Sequence, residues 1–225
     1  MKPFALNLDE VDYDHYWRIK TAGQMGVPNS YQRIRAAWIA DRIENGASVL
    51  DLGCGDGSVL LEIRKRKPIE AHGVDFSQYA LDFVASQGIP TLLRNLEGPE
   101  CLDDLPEIDH ILLLEVLEHM QEPERFLKRA LEKSRKSLFF SFPNTGYILF
   151  RTQLLFGRFP VQWETHPGEH LRFWTFRDLR WWLRELGYFD RTTIHVYKGI
   201  PVLNRAWRGL FGRAFICELL REPGG

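Results

Sequence analysis

Short apolar runs alternate along most of the chain with stretches whose apolar residues recur every three or four positions. The first pattern predicts buried strands and the second predicts amphipathic helices, so the alternation favours an α/β fold with a mostly parallel sheet. The run at 111–114 is apolar at every position, which is typical of a central parallel strand. The predicted strands are residues 47–52, 71–76, 90–93, 111–114, 137–142, 191–197 and 214–220, the last of them antiparallel.

Capping residues and glycines give the boundaries of the helices. Ser30 is predicted to cap a helix over residues 31–44, which ends at the Asn-Gly pair that follows it. The core-facing positions of this helix are predicted to be Ile34, Ala37, Trp38 and Asp41. Further helices are predicted at residues 58–67, 78–86, 123–136 and 176–186.

Two segments lack a regular pattern. Residues 145–173 are rich in aromatic and basic side chains, and their length predicts a lid-like insertion that lines the substrate. Residues 198–213 mix apolar side chains with arginines, which permits two interpretations. One is an amphipathic insertion on a membrane or partner surface; the other, which we favour, is apolar packing in the core with exposed arginines.

Three glycines at alternate positions follow the first predicted strand. From Val49 the sequence reads Val-Leu-Asp-Leu-Gly-Cys-Gly-Asp-Gly and then resumes as a helix, which indicates a tight turn that a ligand approaches closely. The next strand ends on Asp75, where an adenosine ribose would present its hydroxyls. Asp51 and Asp56 flank the turn and would repel a diphosphate. S-adenosylmethionine carries an ammonium and a sulfonium but no phosphate, so the turn favours this ligand over a dinucleotide.

The glycine turn and Asp75 together resemble motifs I and II of the class I S-adenosylmethionine-dependent methyltransferases. Over residues 47–220 the resemblance implies a Rossmann-like sheet of seven strands in the order 3-2-1-4-5-7-6, with strand 7 antiparallel and helices on both faces. It implies S-adenosyl-L-methionine as the cofactor. In this family helices before the first strand often close over the cofactor, yet we expect Tyr16 and Trp17 to pack on the sheet edge instead. The implied cofactor-binding residues are Asp51, Gly53, Cys54, Gly55, Asp75, Phe76, Asn95, Leu96 and Glu115.

A second resemblance concerns residues 141–144, Ser-Phe-Pro-Asn, and residues 157–161, Gly-Arg-Phe-Pro-Val, which are similar to the methionine-biosynthesis protein W family. That resemblance implies a regulator that works beside a homoserine acyltransferase, a protein partner. Residues 115–119, Glu-Val-Leu-Glu-His, and residues 169–175 resemble instead the ubiquinone-type and general small-molecule methyltransferases. The subfamily is therefore left open between these alternatives.

Length, net charge and cysteine count limit the classes of function that the chain can have. The 225 residues suit a single α/β domain, predicted over 1–225 with an N-terminal helical cap at 1–46. A formal net charge of −1 gives no general attraction to nucleic acid. Three scattered cysteines make neither a disulfide framework nor a metal site, so no metal is expected. The N-terminus lacks the apolar core of a signal peptide, and a cytoplasmic setting is expected.

Methyl transfer requires alignment of donor and acceptor and exclusion of water, and it requires neither a side-chain nucleophile nor a metal. A hydroxyl acceptor also needs a base with a pKa near neutrality, which favours histidine. We predict a methyltransferase that acts on a small molecule at oxygen, with a lipid-like acceptor as an alternative. The candidate catalytic residues are His119, after the fourth strand, and His170 and His166 on the predicted lid. Each also has a structural interpretation, as a backbone hydrogen-bond partner or a turn residue.

Overall fold

Seven strands form one sheet in the order β3-β2-β1-β4-β5-β7-β6 in the computed structural model, which describes residues 13–21, 24–98, 100–160 and 170–222. Strands β1 to β5 are parallel, and β7 runs antiparallel to both β5 and β6. The predicted order and the antiparallel strand are confirmed. The strands are β1 Ser48–Leu52, β2 Glu70–Asp75, β3 Thr91–Leu93, β4 Ile108–Leu114, β5 Ser134–Pro143, β6 Thr192–Gly199 and β7 Gly212–Leu220.

Helices cover the sheet from both sides. Successive residues of the central strands point to opposite faces, so Leu113 joins one apolar cluster and Leu112 joins the other. Helices α5 and α7 pack on the first face, and α2, α3 and α4 pack on the second. The helices are α1 Tyr13–Thr21, α2 Ser30–Ala40, α3 Ser58–Arg66, α4 Gln78–Ser86, α5 Pro123–Lys133, α6 Ile148–Leu155, α7 Phe176–Glu185, α8 Leu203–Ala206 and α9 Arg208–Phe211.

Helix α2 begins one residue earlier and ends four residues earlier than predicted, and its buried face matches the predicted one only in part. Asn29, and not Ser30, is the cap: its side-chain oxygen accepts from the backbone N–H groups of Tyr31 and Gln32. The Gln32 side chain bonds back to the Asn29 N–H, which completes a capping box. The buried positions are Arg35, Ala36, Trp38, Ile39 and Ala40, and the predicted core position Asp41 is exposed.

Strand β5 starts three residues before its predicted start. The main chain of Ser134 is extended, and its hydroxyl donates to the carbonyl of Leu131, which ends α5 at Lys133. Ser134 already pairs with Ile108 at the beginning of β4. Sheet pairing therefore overrides the helical pattern that continues through Lys136.

The irregular segment 145–173 contains a helix, α6, which the pattern does not predict. None of its residues is buried. Leu155 and the following Phe156 are 79% and 81% exposed, so the apolar side chains of this helix face solvent and leave no amphipathic signal. Residues 161–169, which include the candidate His166, lie outside the described residues.

The interpretation of 198–213 as core packing is wrong for Val202, Leu203 and Trp207, whereas Leu210 and Phe211 are half-buried. The segment forms two four-residue helices, α8 and α9, separated by a break at Trp207. Val202 and Trp207 are 77% and 62% exposed. Within the described residues, no helix combines the length and the apolar character needed to cross a membrane.

Candidate active site

Four neighbouring strands bring acids and a serine to one edge of the sheet. Asp51 lies near the end of β1, Asp75 ends β2 and Glu115 follows β4. Ser141 on β5 pairs with the last residue of β4. Since carboxyl ends of parallel strands form the ligand-binding edge of such sheets, the structure gathers four polar groups where a cofactor and an acceptor would meet.

The glycine turn folds back on the end of β2. The backbone N–H groups of Gly53 and Cys54 donate to the carbonyl of Val74, at 2.7 and 3.0 Å. The N–H of Gly55 donates to Oδ2 of Asp75 at 2.7 Å. Gly53 has a φ of +81°, and a Cβ built there would lie 2.7 Å from a methyl of Val116. Any side chain at Gly53 would therefore collide with Val116, between the ends of β1 and β4.

Two carboxylates next to this turn have raised pKa values. Burial raises the pKa of Asp75, although the backbone N–H groups of Ser77, Gly55 and Phe76 counteract this by bonding to it. Burial and the nearby Asp75 raise the pKa of Asp51 to about 7. The Oδ1 atom of Asp51 is buried and has no hydrogen-bond partner within the described part of the chain. An ammonium group would supply the missing donor, so the acidic turn fits the cationic S-adenosylmethionine.

The side of the site where the resemblance places the adenine ring is exposed to solvent. The ring of Phe76 is 53% exposed. Asn95 is exposed, and its Oδ1 already accepts from the backbone N–H of Glu97. Leu96 lines a hollow of about 320 Å³ that is bounded on its other side by Met120 and by α5. These residues lie where an adenine could be held, with the Asn95 acceptor engaged within its own loop.

Helix α1 lies across the glycine turn. The carboxylate of Asp14 accepts from the Ser77 hydroxyl at 2.5 Å and from the Tyr79 N–H at 3.2 Å, which fixes α1 on the start of α4. The indole of Trp17 then lies so close to Gly55 that a Cβ on that glycine would overlap it. The expected packing of Trp17 on the sheet edge is therefore wrong: this side chain covers the turn itself.

An ion pair between a buried guanidinium and a partly exposed carboxylate holds the residue that follows β4. Nη1 of Arg35, from α2, lies 2.9 Å from Oε1 of Glu115. The same nitrogen donates to the hydroxyl of Tyr197 at 3.2 Å, and the Ser141 hydroxyl donates to Oε1 of Glu115 at 2.8 Å. Glu115 has a φ of +60°, which is uncommon for a residue with a side chain. The network thus holds Glu115 in a strained backbone conformation at the sheet edge.

Two of the three candidate histidines meet. The rings of His119 and His170 have centroids 4.7 Å apart and are nearly perpendicular. The N–H groups of Leu171 and Arg172 both donate to the carbonyl of Glu118, at 2.8 and 3.0 Å. These two backbone hydrogen bonds place the segment that carries His170 beside the short helical turn Leu117–His119.

Glu118 lies with the two histidines. It is 1% exposed, and neither of its carboxylate oxygens has a hydrogen-bond partner among the described residues. Burial, followed by the nearby charge of Glu115, raises the pKa of Glu118 well above its usual range. We refer to Glu118, His119 and His170 as the histidine cluster.

Arg35 and Glu118 are not among the site residues predicted from the sequence. A signal for Arg35 exists, since it lies three and four positions before Trp38 and Ile39 and therefore shares their buried face. For Glu118 the available signal is its position three residues after Glu115 in a tight turn. Neither signal separates a buried charge from an exposed one without the fold.

Comparison with known proteins identifies the family of the chain. A family model described as a methyltransferase domain matches residues 27–192. A bifunctional methionine biosynthesis protein MetXA/MetW of Rhodopirellula baltica is 31% identical over 160 residues, which is 63% of this chain and 25% of that protein. The chain thus spans a quarter of that relative's length. A ubiquinone biosynthesis O-methyltransferase of Coxiella burnetii is 30% identical over 163 residues, 65% of this chain and 68% of that protein.

A solved structure shows the same fold. It is magnesium protoporphyrin IX methyltransferase from Synechocystis with bound SAH (S-adenosylhomocysteine), with a TM-score of 0.57 and 18% identity over 96% of this chain and 90% of that one. The family match spans the glycine turn and the acid that ends β2. The chain therefore belongs to the methyltransferase-domain family and is a class I S-adenosylmethionine-dependent methyltransferase.

Proposed function

We propose that this enzyme transfers a methyl group to an oxygen atom of a small-molecule acceptor. The observation that carries the proposal is the pairing of His119 with His170 directly after β4, at the edge where the glycine turn lies. Imidazole is the side chain best suited to accept a hydroxyl proton near neutral pH. The similarity to a ubiquinone biosynthesis O-methyltransferase supports oxygen as the acceptor atom.

The chain's own groups have separate roles in this proposal. S-adenosylmethionine supplies an electrophilic methyl group on a sulfonium. Gly53 and Gly55 let the cofactor lie against the backbone, and Asp51 bonds to its ammonium. Asp75 both orders the turn and lies where the ribose hydroxyls are expected. Acceptor and donor are held in line, and alignment of this kind lowers barriers by roughly 7–11 kcal/mol.

Activity assays test the choice of acceptor atom. Transfer of labelled methyl groups would be measured to matched phenols and amines, with the wild type and with His119→Ala and His72→Ala. His72 lies on β2 and pairs with Glu70 at 3.3 Å. We expect turnover of phenols, a kcat about 10²- to 10⁴-fold lower in His119→Ala and no change in His72→Ala. Turnover of amines alone would contradict the proposal.

A lipid-like acceptor is the second candidate, because apolar side chains at the end of α6 and directly after it face solvent. Leu155, Phe156 and Phe159 are all more than half exposed. A hollow of about 400 Å³ lies between α7 and α8, and its arginine lining is Arg151, Arg177, Arg205 and Arg208. Such a surface suits an acceptor with an apolar chain and an anionic head.

Vesicle flotation distinguishes the two candidates. Wild type and Phe156→Asp would be compared on anionic and on purely zwitterionic vesicles. Flotation with anionic vesicles that Phe156→Asp abolishes would support the lipid-like acceptor, and no flotation would remove it. Stable co-purification with a homoserine acyltransferase, in the absence of flotation, would assign the same surface to a protein partner.

We also propose a reducing, cytoplasmic setting. Cys54, Cys101 and Cys217 are all buried free thiols, which supports a compartment where disulfides do not form. Thiol labelling of protein isolated under non-reducing conditions would test this. Recovery of three unmodified thiols is expected, and an intermolecular disulfide would contradict the proposal.

A further inference from the structure

The histidine cluster has the composition and spacing of a metal site. Glu118, His119 and His170 each offer one ligand atom, and these atoms lie within 4.8 Å of one another. Two of the ligands come from the turn after β4 and the third from the segment that is hydrogen-bonded to it. We propose that Glu118, His119 and His170 bind a divalent transition-metal ion.

The environment of Glu118 is an independent observation that points to a cation. A buried carboxylate without a hydrogen-bond donor is costly, and proteins normally pair such a group or use it to bind a metal. Arg35 is engaged by Glu115, Ser141 and Tyr197, and it makes no hydrogen bond to Glu118 within the described residues. A metal ion bound at this point would compensate the buried carboxylate of Glu118.

The ligand set favours particular ions. Two imidazoles and one carboxylate suit Zn²⁺, Mn²⁺ or Fe²⁺, whereas Ca²⁺ and Mg²⁺ prefer oxygen ligands throughout. With metal–nitrogen distances of about 2.1 Å, neighbouring ligand atoms around an ion lie about 3.4 Å apart. The three side chains therefore close by about an ångström when they bind the ion. Three protein ligands leave at least one coordination position open.

The open position gives the ion a role that rests on the proposed function. A divalent cation lowers the pKa of a hydroxyl that coordinates to it. The hydroxyl proton passes to water, the oxygen forms a bond to the methyl carbon, and the carbon–sulfur bond breaks with its electron pair remaining on sulfur. His119 then holds the ion instead of taking the proton directly. This favours an acceptor with an ionisable oxygen, such as a phenol or an enol, over an amine.

Calorimetry tests the site without any activity assay. Zn²⁺ and Mn²⁺ would each be titrated into chelator-treated, dialysed protein, using the wild type, His119→Ala, His170→Ala and the control His72→Ala. We expect one ion per chain in the wild type and the control, and at least tenfold weaker binding in the two cluster variants. Equal affinity in the wild type and His170→Ala, or no saturable binding of either ion, would overturn the proposal.

Visible absorption of Co²⁺ gives a second readout, because the intensity and position of its d–d bands depend on the coordination geometry and on the ligands. Loss of the bands in His170→Ala, with an unchanged circular dichroism spectrum, would support direct ligation. Titration with S-adenosylhomocysteine separates the two proposals. If chelated protein binds it while no variant-sensitive metal binding occurs, the metal site is wrong and the methyltransferase function stands.

Discussion

Nη1 of Arg35 lies 2.9 Å from Oε1 of Glu115. Arg35 belongs to α2, which precedes β1 in the chain, and Glu115 directly follows β4. The guanidinium is almost fully buried, whereas the carboxylate keeps 34% of its side-chain surface in water. The partners therefore depend on each other unequally. Glu115 can reach water without Arg35, but Arg35 has no other anion hydrogen-bonded to it within the described residues.

This asymmetry predicts different losses of stability for the two partners. Glu115→Gln leaves a buried cation without its hydrogen-bonded counter-charge and should lower the free energy of unfolding by about 3–5 kcal/mol. Arg35→Met should cost less, and the double variant should cost less than the sum of the single ones. Urea unfolding measures all three, with Arg33→Met on the exposed face of α2 as the control. Additive losses would show that the pair carries no coupling.

A comparison of two glycines with similar positive φ values distinguishes crowding at the glycine turn from backbone strain. Gly53 and Gly88 have φ values of +81° and +72°, but only Gly53 has a neighbour in the way, since nothing lies within 4 Å of a Cβ on Gly88. Alanine at either site should cost about 1 kcal/mol in backbone strain. Gly53→Ala alone should also weaken S-adenosylhomocysteine binding at least tenfold. Calorimetric affinities that fall equally in both variants would contradict a contact between cofactor and turn.

The raised pKa of Asp51 predicts how stability changes with pH. Burial and Asp75 bring it to about 7, so between about pH 4 and pH 7 the folded state holds a proton that the unfolded state has lost. Stability from this group is therefore present at low pH and falls as the pH rises through 7. Asp51→Asn should gain at least about 1 kcal/mol relative to the wild type between pH 4 and pH 8.

The same ionisation should govern cofactor affinity. Above pH 7 the Asp51 carboxylate is charged and can pair with an ammonium, so wild-type affinity for S-adenosylhomocysteine should rise from pH 6 to pH 8. Asp51→Asn should bind more weakly and with little pH dependence over that range. An equal pH dependence in both proteins would assign the effect to another group; exposed Asp41→Asn is the control.

The contact between Trp17 and Gly55 gives an optical signal for cofactor binding. A ligand that occupies the glycine turn shares surface with this indole, so its binding should change tryptophan fluorescence. Trp17→Phe should remove most of that change, and Trp181→Phe, at a 60% exposed position on α7, should retain it. A full signal in Trp17→Phe would place the bound cofactor away from α1.

The strands were predictable because each carries a local pattern, and their order was predictable because the resemblance to the class I methyltransferases implies it. Asp51, Gly53 and Gly55 lie within a few residues of one another, and a resemblance can identify them together. The histidine cluster has no such signal. Glu118 and His170 meet through backbone hydrogen bonds between distant segments, and no periodicity encodes that pairing.

The sequence pattern does not predict helix α6, and the reason differs from that for the histidine cluster. Its apolar side chains are not confined to a buried stripe, so the period of 3.6 residues on which helix prediction depends is missing. The start of β5 was misplaced because the competing influence, pairing with β4, lies outside the local sequence.

The two hydrogen bonds that join Glu118 to residues 171–172 involve only main-chain atoms. Substitutions along the loop from β5 to α7 can therefore alter shape and polarity without releasing His170 from its position. Under the proposed role of His170, substitutions near it would change which acceptor binds while the chemical step is preserved.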